Sequence, residues 1–215
     1  MRWVWHNLIA AVALSIMAAL APAQEVIDRI VARVDTDIIL LSDVRALSRY
    51  QFFMDGKSES DAEILNRLID QWIVRNEAKT ALFPQPSNED VQRSLERLKR
   101  SFSSPEAFEE RKKQSGLTDE DVERMLRAQL YLSNYLDSRF RASIQIDEKE
   151  IEEFYESRIV PRAESQGKKP PPLEEARGFI QEALVQRAIN VQSERWLKES
   201  RARLRVENLL NENAK

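Results

Sequence analysis

Residues 26–45, VIDRIVARVDTDIILLSDVR, are the stretch around which the predicted fold is organised. Within residues 30–34, IVARV, alternate apolar residues are separated by Val31 and Arg33, and this period of two is typical of a half-buried strand. Residues 35–37, DTD, carry short polar side chains that favour a turn. The stretch therefore predicts the first strand of a hairpin.

The second half of the stretch predicts another strand and the start of a helix. Residues 38–41, IILL, form an apolar run that predicts a second, fully apolar strand. Ser42 is a suitable N-cap residue, and Asp43 would lie favourably at the positive end of the helix dipole. Because an isolated two-stranded ribbon is marginal in water, the hairpin needs a partner. The only later segment with strand-like alternation is residues 204–207, so we expect this C-terminal strand to pair with the hairpin.

The N-terminus has the features of a secretory signal peptide over residues 1–23. Arg2 supplies a positive charge, residues 8–21 are mostly apolar, and the sequence APA ends at Ala23. Cleavage there would leave Gln24 as the first residue. The apolar run is short for a bilayer span, so we expect an exported, periplasmic protein whose only membrane contact is through this leader.

Composition excludes several kinds of site. The chain has no cysteine, and its single histidine, His6, lies in the leader, so the mature protein could not build a zinc site, a thiol nucleophile or a Ser-His triad. Four isolated glycines argue against a phosphate-binding loop and hence against a nucleotide, and a net charge of −3 argues against nucleic acid. We expect no metal and no cofactor. A homodimer is compatible with the sequence.

Nearly all of the remaining chain has helical periodicity. After the signal peptide, residues 24–158 contain the hairpin and six helices. Residues 159–172 are proline-rich and predict a loop. Residues 173–210 predict a long helix and a closing strand that complete the same domain. The predicted fold class is mainly α, a multi-helix module with a small N-terminal β-hairpin joined by a C-terminal strand.

Three segments carry a resemblance to a known family. The hairpin IVARVDTDIILLSDV, the later IQIDEKEIEEFYES and the final RWLKESRARLRVE occur in an order similar to that of SurA-type periplasmic chaperones and their parvulin-linked relatives. The resemblance implies a chaperone module in which a C-terminal helix and strand complete an N-terminal helical region. It also implies that residues 159–172 stand where relatives carry parvulin isomerase domains, and this segment is far too short to hold one.

The resemblance further implies a holdase that binds unfolded, aromatic-rich exported or outer-membrane polypeptides. Such a protein displays apolar side chains in a concave surface with a charged rim. Three consecutive apolar residues at a helix end cannot all face one core, which makes 52–54 the leading candidates. The full candidate set consists of large apolar side chains: Phe52, Phe53, Met54, Phe83, Phe102, Phe108, Tyr131 and Tyr135.

Two alternatives belong to other classes of protein. The first is a protein related to the peptidyl-prolyl cis-trans isomerases that keeps residual activity. A parvulin-type isomerase would need a further domain with histidines, so we expect no enzyme, even if this protein shares a name with isomerases. A helical adaptor would instead dock one folded periplasmic partner, with the KKPPP segment at 168–172 as a pre-extended ligand.

The last long helix is expected to stabilise the whole module. Its apolar residues recur at helical spacing, and packing them against the N-terminal helices would contribute roughly 1.5–3 kcal/mol each. The residues expected to be buried there are Phe179, Ile180, Leu184 and Val191.

Overall fold

The computed structural model describes residues 28–210. In it, a small antiparallel sheet joins the N-terminal hairpin to a strand near the C-terminal end of these residues. Strands β1 (Ile30–Val34) and β2 (Asp37–Leu40) form the predicted hairpin. Strand β3 (Val206–Asn208) pairs with the other side of β1, which gives the order β2-β1-β3. The predicted pairing of a C-terminal strand with the hairpin is confirmed, although the strand starts two residues later than 204.

The hairpin departs from strict alternation on both strands. The register shifts between Ile30 and Ala32, so Val31 and Ala32 are both fully buried. In β2, Ile39 is buried, but Ile38 is 51% exposed. Strand β2 lies one residue earlier than the predicted 38–41, and Ile38 is exposed because β2 lies at the edge of the sheet and turns one face outward.

Helix α1 (Leu41–Asp55) follows β2 without a linker. Leu40 occupies the N-cap position, and its N–H donates to the Asp43 carboxylate at 2.9 Å. The predicted Ser42 cap is wrong, because Leu40, two residues earlier, occupies the N-cap position and the Ser42 N–H donates to the Asp28 carboxylate at 3.2 Å. Hydrogen bonding to Ser42, first through its side chain and then through this backbone N–H, lowers the pKa of Asp28.

Four further helices follow in the order the sequence predicts. Their first turns are capped by short hydroxyl side chains that accept a backbone N–H three residues on, at Ser60, Ser87, Ser104 and Thr118. The helices are α2 (Asp61–Thr80), α3 (Asn88–Ser101), α4 (Pro105–Ser115) and α5 (Asp119–Phe140).

The predicted loop 159–172 is wrong for residues 159–165, which are helical. Helix α6 (Glu148–Phe154) runs through a π-helical turn (Tyr155–Ile159) into α7 (Val160–Ser165). Pro161 lacks an N–H, and its ring would crowd the carbonyl four residues earlier in a regular α-helix. The preceding π turn, in which the Val160 N–H donates to the Tyr155 carbonyl, widens the helix just where the proline enters.

Helix α8 (Leu173–Arg201) packs on different elements in its first and second halves. Its first half contacts α6 and the π turn, and its second half contacts α2 and α5. Ile180 and Leu184 are buried as predicted, but Phe179 is 67% exposed and Val191 is 49% exposed. The expectation of burial is wrong for these two, because successive helical residues point about 100° apart and α8 is covered on one face only.

Two parts of the molecule can be distinguished by their buried clusters. We call the sheet, α1–α5 and residues 189–201 of α8 the body. It holds three clusters linked by shared side chains, with Met125 joining the first to the second and Trp196 joining the first to the third. We call residues 148–184 the arm; it consists of α6, the π turn, α7, the linker 166–172 and the first part of α8. Its cluster is built around Ile151, Ala176, Ile180 and Leu184.

The second half of α8 is fixed to the body by polar contacts as well as by packing. Arg201 donates to Asn66 at 2.5 Å and contacts the Asp70 carboxylate at 3.4 Å. Burial raises the pKa of Asp70, and the charge of Arg201 opposes that shift. Among residues 28–210, no helix has the length and apolar character that crossing a bilayer requires.

Candidate functional site

An open groove of about 790 Å³ lies between β2 and three helices of the body. Each helix presents one face to it, since the lining residues recur three or four positions apart. Helix α1 contributes Ser42, Ala46 and Arg49; α2 contributes Leu68, Trp72 and Arg75; and α5 contributes Met125, Ala128 and Leu132.

The floor of the groove is apolar. Leu68 and Met125 are half-buried and pack on the first cluster, so one side of each is supported while the other faces the groove. Ala46 and Ala128 also line it, and their single methyl groups leave space that a larger side chain would fill. The groove can accept apolar side chains from a ligand without displacing the core beneath it.

Strand β2 forms one border of the groove. Asp37 accepts a hydrogen bond from Trp72 Nε1 at 2.7 Å, which holds the indole against the strand. The next residue, Ile38, lines the groove with half of its surface exposed. Among the described strands β2 pairs only with β1, so its outer edge is unpaired.

The predicted binding aromatics of the α1 end lie in the second cluster instead. Phe53 is fully buried, stacked on Phe102 with ring centroids 5.5 Å apart and edge-on to Phe108 at 5.4 Å. Phe108 is also buried. The expected exposure of Phe53 and Phe108 is therefore wrong, because α1, α3 and α4 converge on these rings.

The two neighbours of Phe53 are covered as well. The Arg111 guanidinium lies 5.8 Å from the centroid of the Phe52 ring, and Met54 packs on the second cluster. Both side chains are half-buried. Residues 52–54 thus do not display an apolar patch. Phe53 lies in the second cluster, Phe52 makes a cation–π contact, and Met54 packs at the edge of the cluster.

The remaining candidate aromatics form the third cluster. Phe83 lies edge-on to Tyr135 at 5.5 Å and tilted to Tyr131 at 6.0 Å. Tyr131 and Tyr135 are buried, which overturns their expected exposure, while Phe83 is half-buried. Tyr131 nevertheless contributes to the lining of the groove.

A smaller cavity of about 460 Å³ lies where α3 meets α4. It is lined by Phe102 and Phe108 on the apolar side and by Glu96, Lys99 and Arg100 on the polar side. Phe102 is half-buried and faces this cavity. Two of the predicted aromatics therefore border a surface depression, although both mainly support the second cluster.

The sequence-based candidates missed most of the groove. Ile38, Leu68, Trp72 and Met125 line it, and none of the four is among the candidate binding residues. A usable signal exists in α2, whose apolar residues Leu68 and Trp72 lie beside a face already filled by Ile69 and Ile73. A helix with more apolar positions than one core can cover points to a second surface.

Two titratable side chains beside the candidate aromatics have shifted pKa values: Tyr50 lies next to Phe53, and Lys112 lies over the Phe108 ring. Tyr50, in the second cluster, donates to Gln129 at 3.1 Å, and burial raises the pKa of Tyr50 to about 12. Lys112 is buried between α4 and α5 and pairs with Glu109 at 2.8 Å and with Asp119. Desolvation is the largest influence on the Lys112 pKa and lowers it, but the two carboxylates outweigh it, so the pKa is raised.

No group of three His, Cys, Asp or Glu side chains able to hold a metal occurs in the part of the chain that the structure describes.

No protein-family model matches this sequence, and no curated protein is significantly similar to it. The expected cleavage site between Ala23 and Gln24 lies outside the described residues. The groove is therefore the feature from which a function can be argued.

Proposed function

We propose that the protein is a periplasmic holdase that binds unfolded exported or outer-membrane polypeptides in the groove of the body. The observation that carries this proposal is an open, apolar-floored groove bordered by a half-exposed isoleucine on an unpaired strand edge. The resemblance to SurA-type chaperones and the leader at residues 1–23 support it.

The chemistry of the floor suits sequence-tolerant binding. Met125 has an unbranched, polarisable side chain that adapts to different partners. Each apolar ligand side chain that leaves water here gains roughly 25 cal/mol per Å² of buried apolar area. An extended segment lying along β2 could also bond to the unpaired edge of the strand, which would contribute affinity without reading sequence.

The exposed rim explains how such a protein would stay soluble. Arg49, Arg75 and Arg124 are exposed around the groove, and Asp43 stands at its α1 end. Charged residues around an apolar surface disfavour self-association of that surface. The proposal needs no catalytic residue and assigns none.

The test is light scattering of a denatured outer-membrane porin diluted into buffer with the purified protein. We expect aggregation to be suppressed. The double variant Ile38→Thr with Met125→Gln keeps β-branching and helix propensity but makes the groove polar, and it should lose most of the suppression. Val191→Thr is the matched control, because Val191 is exposed to a similar degree and lies outside the groove.

Three outcomes would overturn the proposal. The first is no suppression by the wild type, and the second is full suppression by a correctly folded double variant. The third is binding of a single folded protein but of no unfolded one, which assigns the chain to the adaptor class. Substoichiometric acceleration of a proline-limited refolding reaction would contradict the absence of catalysis.

Localisation is tested separately by mass spectrometry of the exported protein. We expect a mature N-terminus at Gln24 in the periplasmic fraction. An intact Met1 terminus in the membrane fraction would contradict the periplasmic assignment.

A further inference from the structure

Some charged side chains around the groove make hydrogen bonds or ion pairs within the fold, and others do not. Arg49 and Arg75 both line the groove and are exposed. Within the described residues, neither has a carboxylate within 4.0 Å, and neither takes part in a side-chain hydrogen bond. Both guanidinium groups are thus available to a ligand.

The acidic groups of the groove are already engaged. The Asp37 carboxylate accepts from Trp72 Nε1, and the Asp43 carboxylate accepts from the Leu40 N–H. The third cation of the groove, Arg124, pairs with Asp121. Arg49 and Arg75 are therefore the charged groups of the groove that make neither an ion pair nor a hydrogen bond within the described residues, although the whole chain has a net charge of −3.

Both free arginines stand one helical turn beyond residues that line the same groove. Arg49 follows Ala46 by three positions on α1, and Arg75 follows Trp72 by three positions on α2. Residues three apart on a helix lie on the same face. A ligand whose apolar side chains contact this lining therefore places its neighbouring side chains within reach of a guanidinium group, which binds carboxylates through two parallel N–H donors.

We propose that the groove selects extended polypeptide segments in which apolar side chains are flanked by aspartate or glutamate. This rests on the proposed function and adds a charge rule to it. Apolar contact supplies the sequence-tolerant part of the binding, and the two arginines discriminate against segments flanked by lysine or arginine.

The experiment uses two labelled extended probe peptides of equal length and identical apolar residues, one flanked by two aspartates and the other by two lysines. Binding of each to the purified full chain is measured by fluorescence anisotropy. We expect the acidic probe to bind roughly tenfold more tightly at low ionic strength, and the ratio to shrink as salt rises from about 0.05 M to about 0.5 M because these exposed charges are screened.

Charge reversal assigns the preference to the two arginines. Arg49→Glu with Arg75→Glu should abolish or invert the preference while leaving the far-ultraviolet circular dichroism unchanged. The control is Arg187→Glu with Arg195→Glu, which changes the net charge by the same amount at exposed α8 positions outside the groove and should keep the preference.

The outcomes separate this inference from the proposed function. Equal binding of both probes, lost on changing Ile38 and Met125, overturns the charge rule and leaves the holdase proposal standing. A preference for the acidic probe that survives reversal at residues 49 and 75 also overturns the rule. If neither probe binds and Ile38→Thr with Met125→Gln dissociates a dimer seen by native mass spectrometry, the groove belongs to a second copy of this chain, and both proposals fail.

Discussion

The body and the arm are both made by packing helices, but they differ in how many elements surround a buried side chain. In the body, the first cluster draws residues from the sheet, α1 and α2 and is closed by Leu210 from beyond β3. In the arm, the buried residues come from α6 and α8 alone, with half-buried side chains of the π turn and the preceding linker packed around them. Fewer neighbours around each side chain mean that the arm can open at a lower free energy than the body.

Polar contacts partly compensate for the thin core of the arm. Arg177 pairs with Glu148 across the two helices, and the Tyr155 hydroxyl donates to the Pro171 carbonyl at 2.7 Å. At the base, Arg141 binds Glu182 through two N–H donors. Because these groups are exposed, they position the arm more than they stabilise it.

The largest expected effect comes from cutting α8, the one helix that belongs to both parts. Stopping the chain at Pro172 removes Ile180 from the arm, Ile189 and β3 from the body, and Leu210 from the first cluster. Each large buried side chain contributes roughly 1.5–3 kcal/mol, against a typical total stability of about 5–15 kcal/mol. We expect no cooperative thermal unfolding of the fragment by circular dichroism, whereas removing residues 211–215 should change the melting temperature little. A fragment that melts at the temperature of the full chain would contradict this.

A matched pair of isoleucines compares the two cores directly. Ile64 in the body and Ile180 in the arm are both fully buried on helices. Replacing a buried isoleucine by alanine costs about 2–5 kcal/mol. Ile64→Ala should lower the free energy of global unfolding by that amount in urea. Ile180→Ala should instead lower the free energy of arm opening, seen as faster hydrogen exchange confined to residues 148–184.

The half-exposed Ile38 supplies the control for this pair, and Ile38→Ala should cost less than about 1 kcal/mol. Equal shifts of one concerted transition by Ile64→Ala and Ile180→Ala would show that the arm and body unfold together.

Local signals made the hairpin and the helix starts predictable. The turn at Asp35 and Thr36 and the caps at Ser60, Ser87 and Thr118 depend on residues close in sequence, and local sequence can specify features of this kind. The predicted Ser42 cap is two positions too late because Asp43, three residues after Leu40, accepts from the Leu40 N–H and caps the backbone from within the helix. Propensity alone does not separate these two capping arrangements.

Features set by tertiary partners were not predictable. Residues 160–165 look like a loop because of Pro161, but the π turn before it lets the helix continue. Phe179 and Val191 fit the apolar periodicity of α8, yet its contact face shifts from the arm to the body along its length. The groove exists where Ala46 and Ala128 line the same space, and no periodicity reports which alanines meet in space.

Two glycines at helix ends give a smaller test of the same comparison. Gly56, after α1, has φ of 69°, and Gly167, after α7, has φ of 65°, so alanine should cost about 1 kcal/mol at either position. At Gly56 a Cβ would also lie 2.6 Å from Arg111 Nη1, and that side chain must move off Phe52. We expect Gly56→Ala to lower global stability and Gly167→Ala to affect exchange in the arm alone.

Gly116→Ala separates the two contributions at Gly56, because Gly116 has φ of 65° with nothing within 4 Å of an added Cβ. Equal losses of global stability at residues 56 and 116 would show that the movement of Arg111 costs nothing. A larger loss at Gly167 than at Gly56 would contradict the assignment of residue 167 to a locally opening arm.

The smallest expected effect concerns the ion pair at the base of the arm. The two hydrogen bonds from Arg141 are the main cause that lowers the pKa of Glu182 from 4.5 to about 2. A carboxylate whose pKa is lower in the folded protein stabilises it above the unfolded pKa, and this contribution is lost as the pH falls through the folded pKa. Glu182→Gln should therefore reduce the hydrogen-exchange protection of the arm most above pH 4.5, and the difference from the wild type should shrink towards pH 2.

Glu194→Gln is the control, since Glu194 is exposed on the same helix and pairs with no cation among the described residues. Asp137 keeps its own bond to Arg141 in both variants. A difference that stays constant with pH would assign the effect of Glu182 to packing of its side chain rather than to its charge.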